Sequence, residues 1–131
     1  MSKVVHVAVG VIQDTDKRIL LAKRPQNLHQ GGKWEFPGGK VEVSETTSEA
    51  LIRELKEEVN LDVVNTQAMM EIHHDYGDKQ VFLDIHWVTQ FSGEAKGLEG
   101  QQVRWVEQEQ LTQYDFPEAN KAILEKILSL S

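Results

Sequence analysis

One helix-length segment, residues 47–59, carries four glutamates, and three of them form a cluster of charge that any fold of this chain has to accommodate. Apolar residues recur there at the spacing of one helix face, namely Ala50, Leu51, Leu55 and Val59. Glu54, Glu57 and Glu58 are three or four residues apart or adjacent, so in a helix their carboxylates are neighbours. Neighbouring like charges destabilise a helix, and hard divalent cations such as Mg²⁺ or Mn²⁺ bind carboxylate oxygens. The segment alone supports two interpretations, a metal site or an ordinary solvated glutamate-rich face.

The residues that flank this segment predict where the helix begins and ends. Its first turn can be capped by Ser44, Thr46 or Thr47. Glu45 and Glu49 are placed for a favourable interaction with the helix dipole. Asn60 follows the last apolar residue, and asparagine tolerates the left-handed conformation in which many helices end. We therefore predict a helix over residues 47–59.

Strand-like segments lie on both sides of this helix. β-branched and alternating patterns predict strands over residues 4–13, 18–24, 34–36, 40–43, 61–75, 81–91 and 102–106. A polar turn at residues 14–17 joins the first two, which are predicted to form a hairpin. A short helical turn at 107–111 and an amphipathic helix at 117–130 complete the pattern. Interleaved strands and helices predict a mixed α/β architecture.

Composition restricts the classes of protein that remain. A chain of 131 residues is expected to form one domain, residues 1–131. The absence of cysteine excludes disulfides and cysteine zinc sites, and with no signal-peptide pattern we expect a cytoplasmic protein. No apolar run approaches the roughly 18 residues of a membrane span. The net charge of −7, from 14 basic and 21 acidic residues, argues against binding to polymeric nucleic acid.

A spaced set of residues running into the helix is far more specific than the helix alone. It reads Gly39, five residues, Glu45, seven residues, Arg53-Glu54-Leu55, one residue, Glu57-Glu58, one residue, Asn60-Leu61. This set resembles the Nudix box, Gly-x5-Glu-x7-Arg-Glu-U-x-Glu-Glu-x-Gly-U, in which U is an apolar aliphatic residue. Asn60 stands where the family has its last glycine, and we expect the helix end to tolerate this replacement.

The resemblance implies a fold and an activity. The implied fold is the Nudix α/β/α sandwich, a mixed β-sheet between helices, in which the box forms a loop–helix–loop. Segments 34–39 and 115–120 are similar to those of the MutT-like branch. That branch hydrolyses oxidised purine nucleoside triphosphates, above all 8-oxo-dGTP, to the monophosphate and pyrophosphate, which prevents mutation. It also implies Mg²⁺ or Mn²⁺ as cofactor, a free nucleotide as substrate and a monomer.

By this resemblance, catalysis depends on the carboxylates of the box. The implied metal ligands are Glu54, Glu57, Glu58, Glu99 from a later loop, and the Gly38 carbonyl. Glu54 is also the candidate for orienting or deprotonating the attacking water. Arg53 is expected to hold Glu57 or Glu45 in place rather than to contact the substrate.

The resemblance also implies a set of substrate-binding residues. They are Arg24, His29, Glu35, Phe36, Pro37, Gly38, Asp78 and Asn120. Arg24 offers a forked cation to phosphate, and Asn120 offers an amide donor and acceptor to the oxidised guanine. Each also has an ordinary interpretation: Arg24 as a solvated strand end, Phe36 as a core residue, and Asn120 as a polar residue in a first helical turn.

Two other interpretations remain open at this point. The first keeps the enzyme class and changes the substrate to another nucleoside triphosphate, a dinucleoside polyphosphate or a nucleotide sugar. The second is a catalytically silent nucleotide-binding module, against which stand the four intact glutamates of the box. The remaining histidines are given a structural role. His73 and His74 point to opposite faces of a strand, and His6 and His86 are expected to be packing residues.

Overall fold

A computed structural model describes residues 3–24 and 31–130. Its strands are β1 Lys3–Ile12, β2 Ile19–Lys23, β3 Trp34–Glu35, β4 Gly38–Lys40, β5 Asp62–Asp75, β6 Lys79–Ser92 and β7 Val103–Val106. Its helices are α1 Thr47–Val59 and α2 Glu118–Ser129, with a 3-10 helix at Gln108–Gln113. Within the described residues, no helix has the length and apolar character needed to cross a membrane.

The strands form two sheets. The larger has the order β4-β1-β6-β5 and the smaller the order β3-β2-β7. β1 and β6 are parallel, from the pair Lys3 and Lys79 to the pair Ile12 and Val88, whereas the other neighbours are antiparallel. The larger sheet is therefore mixed, as the sequence predicted.

β1 contributes to the core from both of its faces, which explains its nearly continuous apolar sequence. Ala8 and Ile12 pack in one cluster with the apolar stripe of α1. Val9 and Val11 pack in the other cluster, which includes Ile123 of α2. Because the two helices cover opposite faces of the strands, the α/β/α arrangement is confirmed.

α1 begins and ends where the sequence predicted. Of the candidate caps, Thr46 accepts a hydrogen bond from the Glu49 amide at 3.1 Å, and the Glu49 carboxylate accepts one from the Thr46 amide at 2.8 Å. This reciprocal capping box satisfies two donors that a helix start leaves unpaired. Asn60 adopts the left-handed conformation, with φ 65° and ψ 30°, so the helix end tolerates asparagine in place of glycine.

The predicted hairpin between the first two strands was wrong. The turn itself is present, because the Asp14 carboxylate accepts hydrogen bonds from the Arg18 amide at 2.8 Å and from Arg18 Nε at 2.9 Å. β1 and β2 then enter different sheets and meet through an isolated bridge between Gln13 and Ile19. The local sequence predicts the turn, but it does not determine which strands β1 and β2 pair with.

The strand predicted at residues 40–43 lies earlier, at Gly38–Lys40, and it begins with two glycines. Gly38 pairs with Val9 so closely that a Cβ on Gly38 would lie 2.0 Å from the Ala8 carbonyl oxygen. Gly38 is therefore required here by the close approach of the two strand backbones.

Candidate active site

α1 brings its acidic face against β4. The Glu54 side chain is 17% exposed and lies directly beside Gly39. A Cβ on Gly39 would be 2.4 Å from the Glu54 carboxyl carbon and 2.5 and 2.8 Å from its two oxygens. The missing side chain at Gly39 thus allows the strand backbone to contact this carboxylate.

Arg53 ties the helix to the loop that precedes it. Its Nε and Nη2 donate to the two Glu45 oxygens at 2.7 and 2.9 Å, and Nη2 also donates to the Lys40 carbonyl at 3.1 Å. Its Nη1 donates to Glu54 Oε1 at 2.7 Å and lies 3.6 Å from Glu57 Oε2. The hydrogen bonds from Arg53 are the main reason that the pKa of Glu45 falls to about 2. Arg53 therefore connects the Glu54 carboxylate to Glu45 in the loop that precedes α1 and holds it in place.

Glu58 is half-buried, and it contains the enclosed oxygen of the acidic face. Its Oε2 is buried without a hydrogen-bond partner among the described residues. Burial is the main cause that raises the pKa of Glu58 to about 9, followed by the hydrogen bond and charge of Glu54 and the charges of Glu99 and Glu35. A buried oxygen without a partner costs free energy unless a donor or a cation satisfies it. A cation or a donor bound at this face would satisfy the oxygen.

The chemistry of these ligands fits a hard divalent cation, although the predicted ligands do not all converge. Glu57 is 58% exposed and has Arg53 as its ion-pair partner, while Glu99 lies in an exposed loop. In the part of the chain that the structure describes, no three acidic or histidine side chains already form a metal-binding group. The fit rests on the carboxylate oxygens of Glu54 and Glu58, which are the ligand type that Mg²⁺ prefers.

The loop that carries Glu99 is attached to the C-terminal end of α1. The Lys96 amide donates to the Val59 carbonyl at 2.9 Å, and the Leu98 amide donates to the Glu58 carbonyl at 3.0 Å. These bonds satisfy carbonyls that a helix end leaves without internal partners. The fold therefore brings Glu99 to the same end of α1 as Glu58.

A cavity of about 310 Å³ opens beside the acidic face. The predicted substrate residues on its wall are Arg24, Glu35, Phe36, Gly38 and Asn120. Its apolar lining includes Val7 and Val9 of β1 and Leu83 of β6, and Gly39 lines it at the side of Glu54. The cavity thus joins a hydrophobic slot to the acidic face of α1.

The polar wall of the cavity is built around an ion pair. Arg24 Nη1 donates to Glu35 Oε1 at 2.8 Å, and both side chains are about 30% exposed. Burial raises the pKa of Glu35, while the hydrogen bond and charge of Arg24 act in the opposite direction. The pair holds the Arg24 guanidinium at the cavity.

The cavity lining also includes an aromatic ring and an amide. Phe36 is 4% exposed and stacks on Phe116, with ring centroids 5.3 Å apart and an interplanar angle of 10°. Phe36 is therefore both a core residue and part of the wall. Asn120 lies in the first turn of α2, where its backbone amide donates to the Pro117 carbonyl at 2.9 Å. Asn120 lines the same cavity as Phe36.

Two of the predicted substrate residues that the structure describes do not line the cavity. Pro37 is buried, and its carbonyl accepts a hydrogen bond from the Gly10 amide at 2.8 Å. Asp78 is exposed in the turn between β5 and β6, and Tyr76 of that turn lines the cavity instead. His29 lies outside the described residues. No sequence signal singled out Tyr76, because a tyrosine beside a Gly-Asp turn has no chemical motif.

The prediction that His6 and His86 are packing residues was incomplete. His6 Nε2 lies 3.4 Å and His86 Nε2 3.3 Å from the Asp84 carboxylate, which also accepts the Thr47 hydroxyl. His86 Nδ1 lies 2.9 Å from the Thr66 hydroxyl oxygen. This polar network connects β1, β5 and β6 to the first residue of α1.

Comparison with known proteins decides the family. A family model described as a NUDIX domain matches residues 8–126, which is most of the chain. The chain belongs to the Nudix family. Nudix hydrolases generally need a divalent metal, which agrees with the oxygen ligands of the acidic face.

Two enzymes and a solved structure match nearly the whole length of the chain. The 8-oxo-dGTP diphosphatase of Escherichia coli K12 is 34% identical over 128 residues, covering 98% of this chain and 99% of that protein. The CTP pyrophosphohydrolase of the same organism is 33% identical over 128 residues, covering 98% and 94%. A MutT structure, from work on the Aliivibrio salmonicida and Vibrio cholerae proteins, is 39% identical. It superposes with a TM-score of 0.87 and covers 98% of this chain and 100% of that one. The chain is thus a Nudix hydrolase of MutT type.

Proposed function

We propose that this Nudix hydrolase converts 8-oxo-dGTP to 8-oxo-dGMP and pyrophosphate, with Mg²⁺ as its metal. One observation carries the proposal. A single cavity is lined by Asn120 and Phe36 and also by Gly39, whose backbone contacts the Glu54 carboxylate. A base-binding slot and a hydrolytic site are thereby continuous.

The slot suits an oxidised purine. The apolar walls Val7, Val9 and Leu83 offer a dry surface to a planar base, and Phe36 closes one side of it. The Asn120 amide carries both a donor and an acceptor. The 8-oxo modification turns an acceptor nitrogen of guanine into an N–H donor and adds a carbonyl acceptor. An amide able to satisfy both kinds of group supports discrimination between oxidised and ordinary guanine.

The polyphosphate is expected to extend from the slot toward α1. The Arg24 guanidinium, held by Glu35, offers a fixed positive charge at the cavity wall. Lys40 lines the same cavity next to Gly39. These cations offset part of the negative charge that the acidic face would otherwise present to phosphate.

In the proposed mechanism the carboxylates share the metal, and Glu54 has a second task. Glu54 and Glu58 would hold the metal together with Glu57, Glu99 and the Gly38 carbonyl, and a bound divalent cation neutralises phosphate charge. Glu54 orients a water molecule and accepts its proton, and Arg53 holds Glu54 in place. The water oxygen bonds to phosphorus, the bridging P–O bond breaks, and pyrophosphate and the monophosphate separate.

Hydrolysis of CTP is a second candidate activity. The relative that is a CTP pyrophosphohydrolase has nearly the same identity and coverage as the 8-oxo-dGTP diphosphatase. The Asn120 amide can also pair with the donor and acceptor groups of cytosine. Sequence similarity does not distinguish these two candidate activities, so the kcat/KM values of their substrates have to be compared.

The experiment compares kcat/KM for 8-oxo-dGTP, dGTP, CTP, ADP-ribose and a diadenosine polyphosphate in Mg²⁺. We expect 8-oxo-dGTP to exceed the other nucleotides by at least about a hundredfold, as a site that pairs polar groups allows. Asn120→Ala is expected to remove most of this preference while leaving metal binding unchanged. Lys121→Ala, an exposed neighbour on α2, is the matched control and should keep the preference.

The alternatives have distinct outcomes in the same experiment. Comparable turnover of dGTP and 8-oxo-dGTP would contradict the proposal, and a preference for CTP would replace it with the second candidate. Tight nucleotide binding without turnover of any substrate would indicate a silent binding module.

We also propose the oligomeric state, the location and the form of substrate of the enzyme. It is a monomer formed by one domain over residues 1–131, it acts in the cytoplasm, and it uses free nucleotides rather than polymeric nucleic acid. The net charge of −7 supports the last statement, because polymer binding needs a basic surface. Light scattering of the purified chain tests the monomer, since a dimer would double the mass.

A further inference from the structure

The loop between β6 and β7 is bound to α1 by more than its backbone. Besides the Lys96 and Leu98 amides, which donate to the last turn of α1, the Asn60 side-chain amide donates to the Glu94 carbonyl at 3.2 Å. The loop therefore has several anchors at its start. Its second half, which carries Glu99, is fixed in a different way.

Gln101 links this second half to the helix through its side chain. Its Nε2 donates to the Glu58 carbonyl at 3.0 Å, and its Oε1 accepts the Glu99 amide at 2.9 Å. One amide group thus connects the backbones of two acidic residues that come from different elements. The Glu58 carbonyl accepts two hydrogen bonds, one from Gln101 and one from the Leu98 amide.

The surrounding backbone is folded tightly around this amide. The Gly100 amide donates to the Gly97 carbonyl at 3.2 Å, and Gly100 has a φ of 83°, which favours glycine. A Cβ on Gly97 would lie 1.8 Å from the Gln101 carbonyl oxygen and 3.1 Å from Gln101 Oε1. The two glycines give Gln101 room to turn back toward α1.

We propose that Gln101 is a positioning residue, which holds Glu99 at the acidic face of α1 so that Glu99 acts with Glu58 in hydrolysis. The inference rests on the proposed function, because it gives Glu99 a part in the reaction. Glu99 is exposed, so packing does not hold its carboxylate in place. The backbone turn that Gln101 closes is the structural feature that directs it.

The electrostatics of the site support this placement. Glu58 and Glu99 are both acidic residues, and Gln101 binds the backbone of each. Two acidic groups repel each other, and the Glu99 loop would relieve the repulsion by moving away from α1. The hydrogen bonds of Gln101 oppose that movement, which gives a glutamine at this position a specific purpose.

The test uses Gln101→Met, which keeps the length of the side chain and removes both hydrogen bonds. Gln102→Met, at an exposed neighbouring position, is the matched control. With 8-oxo-dGTP and Mg²⁺, we expect Gln101→Met to lower kcat about tenfold with KM within about twofold, because a displaced catalytic group slows the chemical step. Gln102→Met should match the wild type in both parameters.

A double-mutant cycle shows whether Gln101 acts through Glu99. In a Glu99→Gln background, Gln101→Met is expected to lower kcat by less than about twofold, because the group that it positions is already lost. Independent losses in the two variants would overturn the inference. Wild-type kcat in either Gln101→Met or Glu99→Gln would also overturn it.

A second readout needs neither metal nor turnover. Amide hydrogen exchange of the metal-free protein should be at least about fivefold faster at Glu99 in Gln101→Met, as expected for the loss of one hydrogen bond. Unchanged exchange at Glu99 would overturn the structural link. If the wild type hydrolyses no nucleotide, the proposed function fails and this inference falls with it. If the wild type is active and Glu99→Gln impaired while Gln101→Met is unaffected, this inference alone fails.

Discussion

At the scale of single residues, two adjacent glycines in β4 serve different purposes. A side chain on Gly38 would meet the backbone oxygen of Ala8, which belongs to the paired strand β1. A side chain on Gly39 would meet the carboxylate of Glu54, the end of a side chain that can turn away. The first glycine therefore supports the sheet, and the second supports the active site.

This difference predicts opposite effects of two alanine substitutions. Gly38→Ala is expected to reduce the free energy of unfolding by about 1–3 kcal/mol, because backbone has to move. Gly39→Ala is expected to cost less than about 1 kcal/mol but to lower kcat at least tenfold, about the effect of a displaced catalytic group. Urea denaturation and steady-state kinetics of both variants measure this. The reverse pattern would show that Gly39 does not shape the site.

Residues of the spaced pattern were predictable from the sequence, and residues that acquire a role only through the fold were not. Glu54, Glu58 and Arg53 stand in a spaced pattern with a chemical reason for each position. Gln101 and Tyr76 acquire their importance only from neighbours that the fold brings to them. A glutamine or a tyrosine in a loop has too many ordinary uses for sequence to single it out.

At the scale of elements, local signals predicted α1 far better than they predicted strand pairing. The apolar stripe, the capping threonine and Asn60 all lie within or beside the helix, so its bounds could be read directly. The partners of β1 are β4 and β6, and β6 lies more than 70 residues away in the chain. Pairing over such distances depends on the whole fold, and the predicted hairpin failed for this reason.

The connection between α1 and its preceding loop predicts a pH dependence. Because Arg53 lowers the pKa of Glu45 to about 2 from its ordinary value of 4.5, the ionised carboxylate stabilises the folded state above pH 4.5. This contribution is lost progressively as the pH falls from 4.5 toward 2. Glu45→Gln should therefore be less stable than the wild type near neutral pH, and the difference should shrink in acid.

Urea denaturation from about pH 6 to about pH 3 measures the effect, since the linkage operates below the ordinary carboxyl pKa. Glu125→Gln, at an exposed position on α2, is the matched control and should give no comparable change with pH. A constant difference between the wild type and Glu45→Gln across this range would contradict the assignment.

At the scale of the whole molecule, the acidity of the chain is unevenly distributed. The stretch from Glu42 to Glu58 has six acidic and two basic residues, and so carries four of the seven net negative charges. Glu54 of α1 lies beside Gly39, which lines a cavity that is also lined by Arg24 and Lys40. A divalent cation turns such an acidic face into a receptor for polyphosphate. The negative charge therefore argues against nucleic-acid polymers without arguing against nucleotides.

Glu54 accepts a hydrogen bond from Arg53 and lies beside Gly39, which lines the cavity. The decisive measurement is kcat for 8-oxo-dGTP in Mg²⁺ for the wild type, for Glu54→Gln and for the exposed control Glu125→Gln. We predict that Glu54→Gln lowers kcat at least about a hundredfold, as the loss of a positioned general base does, while the control keeps wild-type turnover. Near-wild-type turnover in folded Glu54→Gln would show that Glu54 does not act as the general base of the hydrolysis.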